Sequence, residues 1–146
     1  MTTATRGRTG ATPRDLLAVF IGGLIGTTLR VLIDLLLPHD LRAFALSTLL
    51  VNISGAFVLG LLVAALWPRV PGWVRVGLGP GILGSFTTFS AVAVSVVALA
   101  QNGDLLAAAL SIALSIGFGM LAAWAGLALG ARLGHRPPPA VVEVGE

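Results

Sequence analysis

The sequence predicts an all-α membrane protein with four transmembrane helices, the third of which is broken. Of the 146 residues, 56% are hydrophobic and only 10% are charged, whereas about a quarter of a soluble domain is charged. Four apolar runs are each long enough to cross a bilayer, which needs about 20 residues. Helices are expected because an open strand would leave backbone groups unpaired in lipid.

The apolar runs define one membrane domain, residues 16–132, between two tails. The predicted spans cover residues 16–37, 43–67, 76–100 and 105–130, and Pro, Gly, Asn or Asp in the breaks favours turns there. Trp67 and Trp73 flank the second break, as is typical of an interfacial aromatic belt. We expect disordered tails at residues 1–15, which are basic, and at residues 133–146. His39 in the first break and His135 in the C-terminal tail are expected to lie in solvent.

The composition excludes several classes of function. The chain has no cysteine, and the sequence offers no His–Ser or paired-carboxylate arrangement for acid–base chemistry, so we predict that it is not an enzyme. Its basic residues are all arginines, and they lie mostly between apolar runs instead of forming a nucleic-acid-binding face. Nucleic acid is therefore not an expected partner, whereas membrane lipid is.

Arginine distribution predicts the orientation in the membrane. Seven arginines lie in the two tails and the second break, and one, Arg42, lies on the opposite side. Because cytoplasmic loops collect Lys and Arg, both termini are predicted to be cytoplasmic.

Glycine spacing distinguishes the third span from the others. Four glycines and Pro80 within residues 77–84 make a poor continuous helix. We therefore expect an interruption there that exposes backbone oxygens, with the helix restarting at Thr87 and Thr88 and presenting Phe89. By contrast, Gly22/Gly26 and Gly126/Gly130 have the spacing of close helix packing.

Polar residues inside the spans are few, and each has two interpretations. Asn52 lies near the middle of span two, where its amide acts either as a neutral hydrogen-bond donor or as a contact between helices. Arg30 and Asp34 share a helix face and either neutralise each other or leave Arg30 to attract an anion. Ser111 and Ser115 form a polar stripe on span four, or each bonds to a carbonyl one turn earlier.

Three motifs make the sequence resemble the Fluc family of fluoride channels, also called CrcB. They are GGLIGTTLR ending at Arg30, TLLVNISG around Asn52, and GILGSFTTFS containing Phe89. The resemblance implies an antiparallel, dual-topology dimer with two pores, passive and selective export of cytoplasmic fluoride, and location in the plasma (inner) membrane.

Residue roles follow from the same resemblance. It implies that Asn52 donates to fluoride, that Phe89 is a pore phenylalanine, and that Arg30 stands at the vestibule. It also implies that Gly84 and Thr87 supply backbone carbonyls to a central, structural sodium ion at the dimer interface. Ser90, Ser111 and Ser115 correspond to a polar track beside the pore.

One departure from the family pattern concerns the partner subunit. Val92 occupies the position of a frequent second phenylalanine, and the arginine bias favours a single orientation. The chain is thus expected to pair with itself or, in preference, with a homologous subunit of opposite orientation. Two alternatives stay open: a proton-coupled four-span exporter using Asp34, and a non-conducting subunit of a heterodimeric channel.

Overall fold

A computed structural model of the chain describes residues 10–36 and 46–134, and every regular element in these ranges is helical. The elements are α1 (Pro13–Leu36), α2 (Leu46–Ala65), a 3₁₀ turn (Trp67–Arg69), α3 (Gly72–Val76), a π-helical segment (Gly77–Leu83), α4 (Gly84–Phe86), α5 (Ser90–Gln101) and α6 (Leu105–Gly134). The first predicted break, with Arg42 and His39, and the outer tails, with His135, lie outside the described residues.

Four stretches of these elements are long and apolar enough to cross a membrane, which confirms the predicted fold class. They are Pro13–Leu36, Leu46–Arg69, Gly72–Gln101 and Leu105–Gly134, with mean hydropathy between 2.0 and 2.4. Stretches of 24 to 30 residues reach about 36–45 Å at about 1.5 Å per residue, more than the hydrocarbon thickness.

The first helix begins earlier than the sequence indicated. It starts at Pro13, inside the segment expected to be a disordered tail. The hydroxyl of Thr12 accepts from the Asp15 N–H at 3.2 Å, and the Asp15 carboxylate accepts from the Thr12 N–H at 2.9 Å. This reciprocal capping, with proline at the first helical position, stabilises a start that hydropathy alone does not reveal.

The last helix is also longer than expected, since α6 continues to Gly134 instead of ending near residue 130. One guanidinium nitrogen of Arg69 donates to the carbonyl of Gly134 at 2.6 Å, and the other donates to that of Ala65. Arg69 thereby ties the ends of α2 and α6 together and satisfies carbonyls that helix ends leave unpaired.

Glycines allow two pairs of helices to pack at backbone distance. A Cβ on Gly126 would overlap the carbonyl of Phe57, and one on Gly130 would lie 2.7 Å from the carbonyl of Leu61. The pairing rises along both helices together, so α2 and α6 run parallel. These contacts confirm the close packing predicted for Gly126 and Gly130.

The second pair joins α1 to the π-helical segment. A Cβ on Gly22 would lie 3.0 Å from the Cα of Gly81, and one on Gly26 would overlap the carbonyl of Ile82. This junction confirms the packing predicted for Gly22 and Gly26, and it gives the glycines of the third span a packing role.

The interruption of the third span lies later than the sequence predicted. Residues Gly77–Leu83 stay helical, as a π-helix that contains Pro80. Pro80 has no N–H to donate to a carbonyl one turn earlier, so the regular α-helical hydrogen-bond pattern is interrupted at this residue. The break falls at Thr87–Phe89, and the helix restarts at Ser90 instead of at Thr87.

Large apolar side chains cover much of the outer surface of the subunit. On α1, Phe20 is 66% exposed and Leu36 is 77% exposed, and on α6 Trp124 is 70% exposed. Such a surface suits lipid or a second subunit but not water. Together with the four apolar spans, it indicates a multi-pass membrane protein.

Candidate functional site

The break in the third span is a short extended segment between α4 and α5. Thr87 has φ −80° and ψ 157°, so the backbone leaves the helical path there. The Thr87 hydroxyl donates back to the carbonyl of Leu83 at 2.9 Å, and the Thr87 N–H donates to the same carbonyl at 3.0 Å. These bonds terminate α4. The backbone groups of the next residue, Thr88, form their hydrogen bonds outside the helix.

Asn52 supplies those partners through two hydrogen bonds, which we call the Asn52 clasp. Its Nδ2 donates to the carbonyl of Thr88 at 2.8 Å, and its Oδ1 accepts from the N–H of Thr88 at 2.8 Å. Both backbone groups of one residue in the break are thus satisfied by one side chain on α2. A second Nδ2 hydrogen remains available, because a primary amide carries two.

A glycine one turn from Asn52 lets the break approach α2. A Cβ on Gly55 would overlap the Thr87 methyl group and lie 3.4 Å from the Phe86 ring. Any larger residue at position 55 would push the break away and lengthen the Asn52 clasp. Asn52 and Gly55 therefore act together in holding the break against α2.

The break leaves two backbone carbonyls without their usual helical partners. In a continuous helix the N–H of Thr88 would donate to the carbonyl of Gly84, but here it donates to Asn52. The N–H of Ala91, the helical partner of the Thr87 carbonyl, donates to the Thr88 hydroxyl at 3.4 Å. Gly84 and Thr87 thus supply oxygens of the kind that bind hard cations such as sodium.

A cavity of about 1000 Å³ runs along the clasp and the break. Five predicted site residues lie on its wall: Asn52, Gly84, Thr87, Phe89 and Ser115. Among the residues that the structure describes, the wall carries no charged side chain, and its side-chain polar groups are amide, indole and hydroxyl. Phe89 is 80% exposed in the subunit, so its ring edge is available to a ligand or a partner.

Three predicted site residues do not lie on this wall. Ser111 is buried and donates to the carbonyl of Ala107 at 2.8 Å, which is the local bond that the sequence left open for it. The hydroxyl of Ser90 lies 2.9 Å from that of Thr88. Arg30 pairs with Asp34, 3.7 Å from nitrogen to oxygen.

The structure adds residues that the sequence analysis did not place at the site. Thr88 contributes its backbone, and no sequence signal identifies the residue whose peptide group another helix will bind. Trp67 lines the cavity beside Gly79, although its position at the end of an apolar run is equally typical of an interfacial residue. Val92, which the family resemblance places at the position of a second phenylalanine, is 8% exposed and lines the cavity.

The chain is similar to a known family and to several known proteins. The family described as "CrcB-like protein, Camphor Resistance (CrcB)" matches residues 17–127. The fluoride-specific ion channel FluC of Idiomarina loihiensis is 49% identical over 100 residues, 67% of this chain and 78% of that protein. FluC 2 of Leifsonia xyli subsp. xyli is 41% identical over 132 residues, 84% and 88% of the two chains.

A third relative, the fluoride-specific ion channel FluC of Rhizobium meliloti, is 38% identical over 117 residues, 78% of this chain and 94% of that protein. These relatives are named as channels and not as enzymes, in agreement with the sequence prediction. The family match covers the first three spans and most of the fourth, including the break, the clasp and the cavity. The chain belongs to the CrcB family.

Proposed function

We propose that the chain forms a passive, fluoride-selective channel that exports cytoplasmic fluoride. The observation that carries the proposal is the cavity beside the Asn52 clasp, whose described lining residues offer neutral donors and an aromatic ring and no charged side chain. A site of this kind accepts a small anion without holding it, and rapid conduction requires weak binding. The family and the names of the relatives support the same function.

The proposed pathway uses the groups that the clasp leaves free. The second Nδ2 hydrogen of Asn52 donates to fluoride while the first holds the Thr88 carbonyl. The edge of the Phe89 ring carries partial positive charge and faces the anion. Ser115 adds a hydroxyl on the wall, and Ser90 and Arg30 contribute outside it, at the polar track and the vestibule, whereas the Ser111 hydroxyl is used in the local bond to Ala107.

Passive export suits the chemistry of fluoride. Hydrogen fluoride crosses membranes as a neutral weak acid and ionises in the cytoplasm, where the anion is trapped. A channel in the plasma (inner) membrane lets it leave down its gradient and the negative-inside potential, and lowers its toxicity. The arginine bias supports an orientation with both termini in the cytoplasm.

We further propose that two subunits assemble in antiparallel orientation. The exposed apolar faces of α1 and α6 and the exposed Phe89 support a second subunit against this surface. The partner is a second copy or a homologous subunit. Relatives named FluC 1 and FluC 2, together with the arginine bias and Val92, favour the homologous subunit.

A sodium ion fits the centre of such a dimer. Two freed carbonyls from each subunit, those of Gly84 and Thr87, would give four oxygen ligands, the type that hard cations prefer. When bound, the ion would hold the two breaks together as a structural group. Purifying the protein with a large organic cation in place of sodium should then dissociate the dimer in detergent, as light scattering would show.

The decisive experiment measures fluoride efflux from liposomes with a fluoride electrode, with chloride efflux as the control. The chain is reconstituted alone and together with an oppositely oriented homologue. Fluoride release above that of protein-free vesicles supports the channel. Release by the pair alone identifies a heterodimer, and full release by the single chain removes the preference for a homologous partner. Retained fluoride in both preparations would refute the proposed function.

A further inference from the structure

Four of the five arginines that the structure describes lie at one end of the helices, and we call these four residues the basic end. Arg14 is in the first turn of α1, and Arg69 is the last residue of the 3₁₀ turn that follows α2. Arg75 is in α3, and Arg132 is in the last turn of α6. All four side chains are exposed.

Two of these guanidinium groups are held by contacts that leave most of their donors free among the described residues. Arg14 lies over the face of the Trp73 ring, 4.2 Å from its centroid, and stacking does not use the N–H groups around the guanidinium edge. The Nε of Arg75 donates to the carbonyl of Val70 at 3.1 Å, which leaves the N–H groups of both terminal nitrogens. Because Trp73 and Arg75 belong to the same short helix, the two guanidinium groups flank α3.

Arg69 connects this part of the surface with the end of α6. It donates to the carbonyl of Gly134 at 2.6 Å, and Gly134 follows Arg132 by two residues. The acceptors are carbonyls, so the positive charge is not neutralised. Among the described residues, four arginines against one aspartate, Asp15, leave this end with a net charge of +3. The Asp15 carboxylate accepts from Thr12 and forms no ion pair with an arginine there.

Exposed leucines adjoin the basic end. Leu16 and Leu17 follow Arg14 along α1 and are 62% and 58% exposed. Leu133 is next to Arg132 and is 66% exposed. In a membrane-spanning helix such side chains contact acyl chains, so the neighbouring guanidinium groups lie at the level of the lipid phosphates. A soluble anion matches only the charge of this surface, whereas a phospholipid matches both the charge and the apolar border.

We propose that the basic end binds anionic phospholipid, with the guanidinium groups of Arg14 and Arg75 donating to headgroup phosphate oxygens and the adjoining leucines contacting the acyl chains. The planar fork of a guanidinium matches the spacing of phosphate oxygens. At the other end of the described helices Asp34 and Asp104 accompany Arg30, so no excess of positive charge favours such a lipid there. This binding is independent of fluoride conduction.

The test measures quenching of Trp73 fluorescence by phospholipids brominated on the acyl chains near the headgroup. The chain has three tryptophans, so Trp67→Phe with Trp124→Phe leaves Trp73 as the reporter. In mixed bilayers of phosphatidylglycerol and phosphatidylcholine with equal chain lengths, Trp73 should show a preference of roughly fivefold or more for phosphatidylglycerol. Trp67→Phe with Trp73→Phe leaves Trp124, eight residues before Arg132 and about 12 Å along α6, which should show no preference.

Substitutions of Arg75 separate charge from structure. Arg75→Gln should lower the preference at Trp73 roughly fivefold, the effect of one arginine near a lipid surface. Arg75→Lys keeps the positive charge and should retain most of the preference. Arg30→Gln is the matched control, because it removes an arginine that lies 16 residues from Arg14 on the same helix, roughly 24 Å away, and it should leave the preference unchanged.

Equal quenching of Trp73 by the two lipids would overturn the proposal. Equal losses in Arg75→Gln and Arg75→Lys would overturn it as well, because Arg75 would then act through the structure and not through its charge. Loss of the preference in millimolar inorganic phosphate at constant ionic strength would identify a site for soluble anions instead of lipid.

Native mass spectrometry of the unmodified protein provides a second measurement that needs no tryptophan substitution. More molecules of phosphatidylglycerol than of phosphatidylcholine should stay bound after detergent removal in the gas phase, and equal retention would refute the proposal. Neither measurement uses fluoride flux. Failure of the channel in vesicles is therefore distinguishable from failure of lipid binding.

Discussion

The Asn52 clasp allows positioning and ion donation to be separated by two substitutions of one residue. Asn52→Ala removes both hydrogen bonds to Thr88, each 2.8 Å long. Asn52→Asp keeps the acceptor for the Thr88 N–H but replaces the donor with an oxygen that faces the Thr88 carbonyl. We expect both variants to lose fluoride efflux, for different reasons.

The magnitude follows from the two bonds. A hydrogen bond contributes about 0.5–1.5 kcal/mol, and a buried group left unpaired costs about 1–3 kcal/mol. Because the clasp is only partly buried, the lower part of this range applies, about 2–3 kcal/mol for the pair. At about 1.4 kcal/mol per tenfold, Asn52→Ala lowers the ratio of ordered to disordered break by roughly 30- to 140-fold.

The assay combines flux with amide hydrogen exchange of the break. In Asn52→Ala the Thr88 amide should exchange faster by a similar factor, and fluoride efflux should fall more than tenfold. In Asn52→Asp the amide should stay protected by the carboxylate, while the added negative charge still abolishes efflux. Ser54→Ala is the matched control on α2, because Ser54 bonds only to the carbonyl of Val51 in its own helix.

Unchanged exchange of the Thr88 amide in Asn52→Ala would refute the reasoning, because the clasp would then not hold the break. Full efflux in Asn52→Asp would refute the donor role of the amide and leave only the positioning role. The two results are independent, so the positioning role and the donor role of Asn52 are tested separately.

Three further expectations concern the ring, the helix packing and the ion pair. Phe89→Leu should lower fluoride efflux roughly tenfold through loss of a polarised ring edge, without altering thermal stability. Phe118→Leu is the control outside the cavity and should change neither efflux nor stability. Equal fluoride efflux by the two variants would argue against a pore role for Phe89. Gly126→Ala should destabilise the protein by about 1–3 kcal/mol in thermal unfolding, because a Cβ there meets the backbone of α2. Gly117 has open space around it, so Gly117→Ala should be neutral or stabilising by up to about 1 kcal/mol. Equal melting temperatures of the two variants would contradict the packing. At both acid and neutral pH, Asp34→Asn should show the same fluoride efflux as the unmodified protein, since the carboxylate pairs with Arg30 and carries no proton across the membrane. Loss of transport in this variant, together with a pH-dependent flux, would indicate the proton-coupled exporter instead.

Sequence patterns predicted the parts of this fold that depend on local chemistry. Hydropathy identified four spans, and the spacing of Gly22/Gly26 and Gly126/Gly130 identified close contacts that the backbone confirms. Asn52 was singled out because an amide in the middle of an apolar span is costly unless it has partners. These inferences need only composition and helical period.

The remaining features depend on contacts distant in sequence. Asn52 and Thr88 are 36 residues apart, and nothing in either segment alone reveals that one binds the backbone of the other. Glycine and proline in the third span predicted an interruption, but the packing of α1 keeps that segment helical and the break moves to Thr87–Phe89. The contact between the Trp67 ring and Gly79 likewise joins two segments that carry no sign of it in their own sequences.

The π-helical segment Gly77–Leu83 has a consequence for how this family tolerates insertions and deletions. Each residue added to or removed from a helix rotates everything beyond it by about 100° and shifts it by about 1.5 Å. Losing one residue here would rotate the break away from α2 and carry Phe89 off the cavity wall. Selection should therefore preserve the number of residues in this segment more strictly than their identities.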